Sequence, residues 1–239
     1  MPQPLPDDFL LTVVMPVYNE ERTLAQIVDA VLAEPTPKEL VLIDDGSTDA
    51  SRAILRELAA RDGVRALLHE GNRGKGAALS TGFQAARGDV VVVQDADLEY
   101  DPRDYRALLQ PIVDGHADVV YGSRYLVDES DPERERDAFG HYLGNRALTF
   151  ASNLATGLNL TDMETCYKCF RKEVLAPIRI RSRRFTVEPE LTAKIARSDA
   201  RVWETPIRYR GRAFADGKKI GWRDAVAALW AIARYRFFD

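Results

Sequence analysis

Asp95 and Asp97 stand one residue apart, directly behind the run Val90–Val93. Four β-branched residues with no polar alternation predict a strand covered on both faces, as in a parallel α/β sheet. Its carboxyl end is where open α/β sheets place their ligands. Two hard carboxylates there suit one divalent cation, which keeps some waters and takes the rest of its shell from phosphates. Lys75, flanked by Gly74 and Gly76 ahead of a helical segment, adds an ammonium beside a backbone that a base or phosphate can approach closely. Basic residues outnumber acidic ones from Arg171 onward, which suits an anionic substrate arriving from that side.

Composition removes several other classes. The chain has 239 residues, 46% of them hydrophobic, and a net charge of −4; it fits one large α/β domain, or one domain with a C-terminal extension, and gives no sign of nucleic-acid binding. Cys166 and Cys169 alone cannot furnish the four ligands of a structural zinc site, and they read as structural thiols in a reducing compartment. The N-terminus lacks the basic and apolar regions of a signal peptide, and no apolar run reaches the roughly 18 residues that span a bilayer. The expected location is cytoplasmic, at most at the cytoplasmic face of a membrane.

The elements that must position these groups alternate. Leu10–Val17, Leu40–Ile43, Val64–Leu68, the Val90 run and Asp118–Tyr121 predict five strands. Leu24, Ile27, Val28, Val31 and Leu32 share one helical face, with Asn19 placed to cap that helix and Thr48 to cap the next. Asp101-Pro102 starts another helix, with Asp as cap and Pro in first position. The charged stretch Val127–Ala138 predicts a mobile loop. Leu143, Ala147, Phe150, Ala151, Leu154 and Leu158 then form one apolar helical stripe. Later segments read as strand, helix and strand.

Familiar nucleotide motifs fail on inspection. The first strand leads into Tyr18-Asn19-Glu20-Glu21 and not a glycine-rich dinucleotide turn, while Lys75 is followed by Gly76 where a phosphate loop needs Ser or Thr. No nucleophile elbow supports Ser-His-Asp hydrolysis. His69, His116 and His141 show no metal-ligand spacing.

Val14–Glu21, Asp44–Asp49, Asn72–Gly76, Asp95-Ala96-Asp97 and Gly122-Ser123-Arg124 occur in the order and rough spacing of inverting family 2 glycosyltransferases of the GT-A fold. The chain most resembles the dolichyl- and polyprenyl-phosphate mannosyl- or glucosyltransferases, from Leu11 to about Ile220. That resemblance implies a Rossmann-like nucleotide-diphospho-sugar transferase fold: a mostly parallel central sheet flanked by helices. It divides the chain into a transferase domain over 1–220 and a C-terminal amphipathic helix over 221–239. Within the domain the nucleotide-binding half covers about 10–125 and the acceptor half about 126–220.

The resemblance also implies roles. Pro16, Tyr18, Asn19 and Glu20 line the pocket near base and ribose. Asp45 faces the base edge, where a carboxylate can accept from a uracil or guanine N–H; Asp44 is the structural member of that pair. Lys75 and Gly76 lie beside the base or phosphates. Asp97 is the direct ligand of Mg²⁺ or Mn²⁺, Asp95 lies near the ribose or the metal, and Glu99 is a further ligand. Ser123 and Arg124 belong to the acceptor side, Arg124 binding acceptor phosphate. A second arginine expected after the loop is replaced here by His141, with Asn145 and Arg146 one turn on. Arg212, Lys218 and Lys219 resemble a late basic loop that closes over the donor diphosphate, for which an arginine fork is well shaped.

The implied reaction transfers a hexose from a GDP-mannose or UDP-glucose type of donor to a polyprenyl or dolichyl phosphate. A phosphate monoester is largely dianionic at neutral pH, its second pKa being about 6, so such an acceptor needs no strong general base. Of the late candidates Glu188, Glu190 and His141, none is singled out. The same fold with a soluble or saccharide acceptor, or a nucleotide-sugar-binding subunit without turnover, are the alternatives. Trp222–Phe238, apolar with aromatic and arginine residues at its ends, reads either as a helix at a lipid interface or as an ordinary packed or oligomer-forming helix.

Overall fold

Each apolar run between turn residues becomes a strand, and the computed structural model shows how they pair. It describes residues 2–126, 139–182, 186–211 and 222–238, without the side chains of 139–141 and 222–225. Strands β1 (Leu11–Val17), β2 (Lys38–Asp44), β3 (Val64–Leu68), β4 (Val90–Val93), β5 (Val119–Ser123), β6 (Lys168–Arg171) and β7 (Val202–Pro206) form one sheet in the order β3-β2-β1-β4-β6-β5-β7. All neighbours are parallel except β6, which runs antiparallel between β4 and β5. The four valines of β4 are buried, as a strand covered on both faces requires.

Helices α1 (Leu24–Ala33), α2 (Ser51–Leu58), α3 (Lys75–Ala85) and α4 (Tyr105–Val113) follow the first four strands. The turn before α4 begins as predicted: the Asp101 carboxylate accepts from Arg103 N–H, with Pro102 in first position. Two expected caps are corrected. Asn19 does not cap α1, which begins only at Leu24; it adopts φ 56° and its Oδ1 accepts from Thr48 N–H at 2.8 Å. Thr48 does not cap α2; Asp49 does that work, accepting from Ser51 N–H at 2.9 Å. In both cases a polar group found a better partner across the turn than along its own chain.

The second half adds α5 (Phe139–Thr156), the short α6 (Lys172–Leu175), α7 (Val187–Ala196) and α8 (Trp222–Phe237). Helix α8 packs on α5 and α7, burying Ala228, Ala231, Ile232 and Tyr235. The α5 stripe is split: Ala151 and Leu158 pack against the core, whereas Leu143, Phe150 and Leu154 are exposed and Thr149 and Ser152 are buried in their place. The expected charged loop Val127–Ala138 lies outside the described residues.

Candidate active site

The carboxyl ends of β1, β2 and β4 meet at one edge, and the first turn to be fixed there follows β2. Asp44 is fully buried, accepting from Arg52 Nε at 2.8 Å and from Ser47 N–H at 3.1 Å. Burial alone would raise its pKa; the Ser47 and Arg52 hydrogen bonds outweigh it and hold the carboxyl below the usual range. Asp45 is equally committed. One oxygen accepts from Arg73 N–H at 2.9 Å and lies 2.9 Å from His69 Nδ1, and the other accepts from Gly74 N–H at 2.7 Å. Its carboxylate therefore shapes the 69–74 loop. Gly46, at φ 74°, lets the two turns touch: a Cβ there would lie 2.4 Å from the Gly71 carbonyl carbon.

That loop delivers Lys75, the first residue of α3. Its ammonium lies 2.8 Å from Asp95 and 3.4 Å from Glu188, with about a quarter of each of the Lys75 and Asp95 side chains still exposed. Burial works against the Lys75 charge, but Asp95 and then Glu188 outweigh it and hold the ammonium well above its usual pKa. Burial likewise disfavours ionised Asp95, and Lys75 reverses the balance. Glu188 comes from the first turn of α7 and also binds the fully buried Lys168 of β6. Four side chains from four elements thus alternate in sign: Asp95, Lys75, Glu188, Lys168. Gly76 permits this closeness, since a Cβ there would overlap the Ser182 carbonyl oxygen.

Beyond Asp95 the loop turns on itself. Asp97 accepts from Glu99 N–H at 3.1 Å, and Glu99 accepts from the Tyr209 hydroxyl at 2.8 Å. Among the described residues no three His, Cys, Asp or Glu side chains converge as a metal site, so Asp95, Asp97 and Glu99 are not gathered as one ligand set. The donor chemistry of Asp95 and Asp97 nevertheless fits a hard cation. Both are half-buried carboxylates, and Mg²⁺ binds through one or two carboxylates and completes its shell from phosphate and water.

Along β1, Pro16 and Glu20 are half-buried and Tyr18 is exposed at this edge. Asn19 N–H donates to Ser47 Oγ, and Glu20 N–H to Ser51 Oγ. Thr23 Oγ1 lies 2.9 Å from Ala96 O, joining this turn to the Asp95 loop.

The β5 edge is built differently. Arg124 donates Nε and Nη2 to the two oxygens of Asp162, at 2.7 and 2.8 Å, and lies over the rings of Tyr209 and Tyr125. Burial opposes its charge, and Asp162 restores it, keeping the guanidinium fully protonated. Ser123 is buried, its hydroxyl 2.6 Å from Thr161 Oγ1. Glu204 of β7 accepts from Thr161 and Asp162 N–H and so fixes the turn that carries Asp162. Asn145 donates to the Tyr125 hydroxyl, and Arg146 to Thr161 O. The His141 side chain and all of Arg212, Lys218 and Lys219 lie outside the described residues.

Asp162, Glu164 and Lys168, which the sequence reading passed over, occupy the middle of this edge. The signal available was three charges within the otherwise apolar approach to a buried strand, Asp162–Phe170, where an unpaired charge is costly.

The same fold occurs in solved glycosyltransferases. Glucosyl-3-phosphoglycerate synthase from Mycobacterium tuberculosis, solved with Mn²⁺, UDP-glucose and phosphoglyceric acid, superposes with a TM-score of 0.70 over 96% of this chain and 80% of that one, at 20% identity. The fold is thus GT-A. The sequence profile described as glycosyl transferase family 2 matches residues 12–179, and the chain belongs to that family. It is 32% identical over 222 residues to an undecaprenyl-phosphate 4-deoxy-4-formamido-L-arabinose transferase of Pseudomonas aeruginosa, and 30% over 215 residues to one of Aeromonas hydrophila. Those alignments cover 90% and 87% of this chain but 62% of each relative, so the chain spans less than two thirds of their length.

Proposed function

We propose that this chain moves a sugar from a nucleoside-diphosphate donor to a polyprenyl phosphate at a membrane surface, inverting the anomeric carbon. The observation that carries the reading is the Lys75 ammonium and Asp95 carboxylate, 2.8 Å apart and part-exposed at the carboxyl edge of the sheet. A cation beside a partly solvated carboxylate at that edge is the equipment for receiving a diphosphate. Asp95 and Asp97 would hold a divalent cation, whose chemistry when bound is Lewis-acid neutralisation of the departing nucleoside diphosphate. Lys75 adds a second positive charge on that side, and the Asp45-held loop fixes where it stands. Arg124, its charge secured by Asp162, supplies the positive field for the incoming phosphate oxygen.

The acceptor half rests on the names of the relatives and on an exposed apolar surface. Leu143, Phe150 and Leu154 of α5 and Val226, Leu229, Trp230, Phe237 and Phe238 near α8 all stand in solvent, while α5 and α8 pack together. Among the described residues no helix is long and apolar enough to cross a membrane; such a surface suits lying against one. The sugar named for the relatives is a modified arabinose, so the hexose expected from the sequence gives way to the wider class of sugars carried on a nucleoside diphosphate.

The test is a partition assay. Labelled nucleotide sugars, Mn²⁺ and polyprenyl phosphate in vesicles should yield label that extracts into organic solvent. Label that remains aqueous while nucleoside diphosphate is released would replace the lipid by a soluble acceptor.

A further inference from the structure

Among the described residues three buried side-chain polar atoms have no hydrogen-bond partner, and two of them are neighbours: Glu164 Oε1 and Thr165 Oγ1. Buried polar atoms are nearly always paired, so two adjacent orphans call for an occupant. Their place in the fold says which side it comes from. Because β6 runs antiparallel between β4 and β5, the segment leading into it must cross the carboxyl ends of both. Its contacts trace that crossing: Thr161 reaches Ser123, Asp162 grips Arg124, and Cys166 Sγ meets Val93 O. Glu164 lies in the middle of this segment, between the fork on β5 and the charged chain on β4.

Resting on the acceptor reading above, we propose that Glu164 is a specificity residue for the acceptor, donating a hydrogen bond from its neutral carboxyl to a phosphate oxygen beside Arg124. A neutral carboxylic acid is a donor, whereas its ionised form is an acceptor only and would repel an anion. The surroundings bring the carboxyl to the point where one more negative charge completes its protonation. Burial first, and then Glu188 of α7, raise the Glu164 pKa to about 7, with Asp162 adding to the rise; Lys168 of β6 and Arg124 at the end of β5 oppose it. An arriving phosphate adds negative charge and strengthens the same effect. Binding therefore draws a proton from solvent at neutral pH and above, and no covalent bond to Glu164 is made.

The experiment uses the whole chain, a short-chain prenyl monophosphate in detergent, and calorimetric titration at pH 7.5 in two buffers of different ionisation enthalpy. Wild type should take up a substantial fraction of one proton per phosphate bound. Glu164→Gln, which keeps a donor and cannot titrate, should bind within about threefold of wild type with no proton uptake, and should lose the alkaline fall in kcat/KM. Glu164→Leu should raise the KM for the phosphate about tenfold while the donor KM stays put. A collapse of kcat in Glu164→Gln would make the residue a general base and overturn the proposal, as would proton uptake unchanged in that variant. Failure of the acceptor reading is distinguishable, because wild type itself would then bind no prenyl phosphate while still binding the nucleotide sugar.

Discussion

Two ion pairs guard the carboxyl edge of the sheet, and they are constructed on opposite principles. Lys75–Asp95 is partly solvated, and its ammonium has a second carboxylate, Glu188, within reach. Arg124–Asp162 is a two-pronged fork in which the arginine side chain is 9% exposed and the aspartate not at all. The first can open at small cost, because water and Glu188 stand ready to take over. The second cannot, because opening it strands a buried charge. The edge beside β4 is thus adjustable, and the edge beside β5 is a fixed frame.

The largest effect should come from attacking the frame. Asp162→Ala leaves the Arg124 guanidinium buried without its fork and should lower unfolding free energy by about 3–5 kcal/mol, read from chemical denaturation. If the loss is under about 1 kcal/mol, the two pairs do not differ in kind. Next comes Asp97→Ala, which should leave the fold intact and reduce metal-dependent turnover on the order of 10²–10³-fold; an unchanged rate with Mn²⁺ would remove Asp97 from the donor site.

Glu164 lies between the two pairs and gives a pH test of intermediate size. Its folded pKa of about 7 is raised above the unfolded value of 4.5, so between those values the native state holds more protons than the unfolded one. Stability should therefore fall as pH rises from about 4.5 to about 7, by roughly 1–2 kcal/mol after allowance for partial exposure. Glu164→Gln should flatten that part of the curve, and a curve unchanged by the substitution would contradict the shift. Smallest of all, Lys75→Met should change stability by less than about 1 kcal/mol while weakening nucleotide-sugar binding, measured by thermal shift. A stability loss matching that of Asp162→Ala would erase the contrast between the two edges.

Much of the frame was legible in the sequence. The valine run, the order of the five motifs and the Asp101-Pro102 start all have local physical causes, and local causes can be read along a chain. What escaped has causes across it. Asn19 and Thr48 looked like helix caps because their types favour capping; each other's presence 29 residues away decided otherwise. The partner that fixes Arg124, Asp162, is 38 residues on and could not be read beside it. The apolar stripe of α5 was visible, but periodicity gives a face without saying what that face meets. Glu164 stood out only as a charge in an apolar approach to a strand; that one of its oxygens is orphaned could not be read along the chain, because an orphan is defined by what does not surround it.

The reversed strand β6 carries a consequence for how the molecule assembles. Strands β4 and β5 lie on either side of it, a gap of roughly 10 Å at ordinary strand spacing, and neither touches the other. Ribosomal synthesis delivers both long before residues 168–171 emerge. Until then each presents an open row of amide and carbonyl groups, the template on which chains stick to one another. Fragments ending before Lys168 should precipitate, and the intact chain should gain its solubility late, when one short insert closes both rows at once.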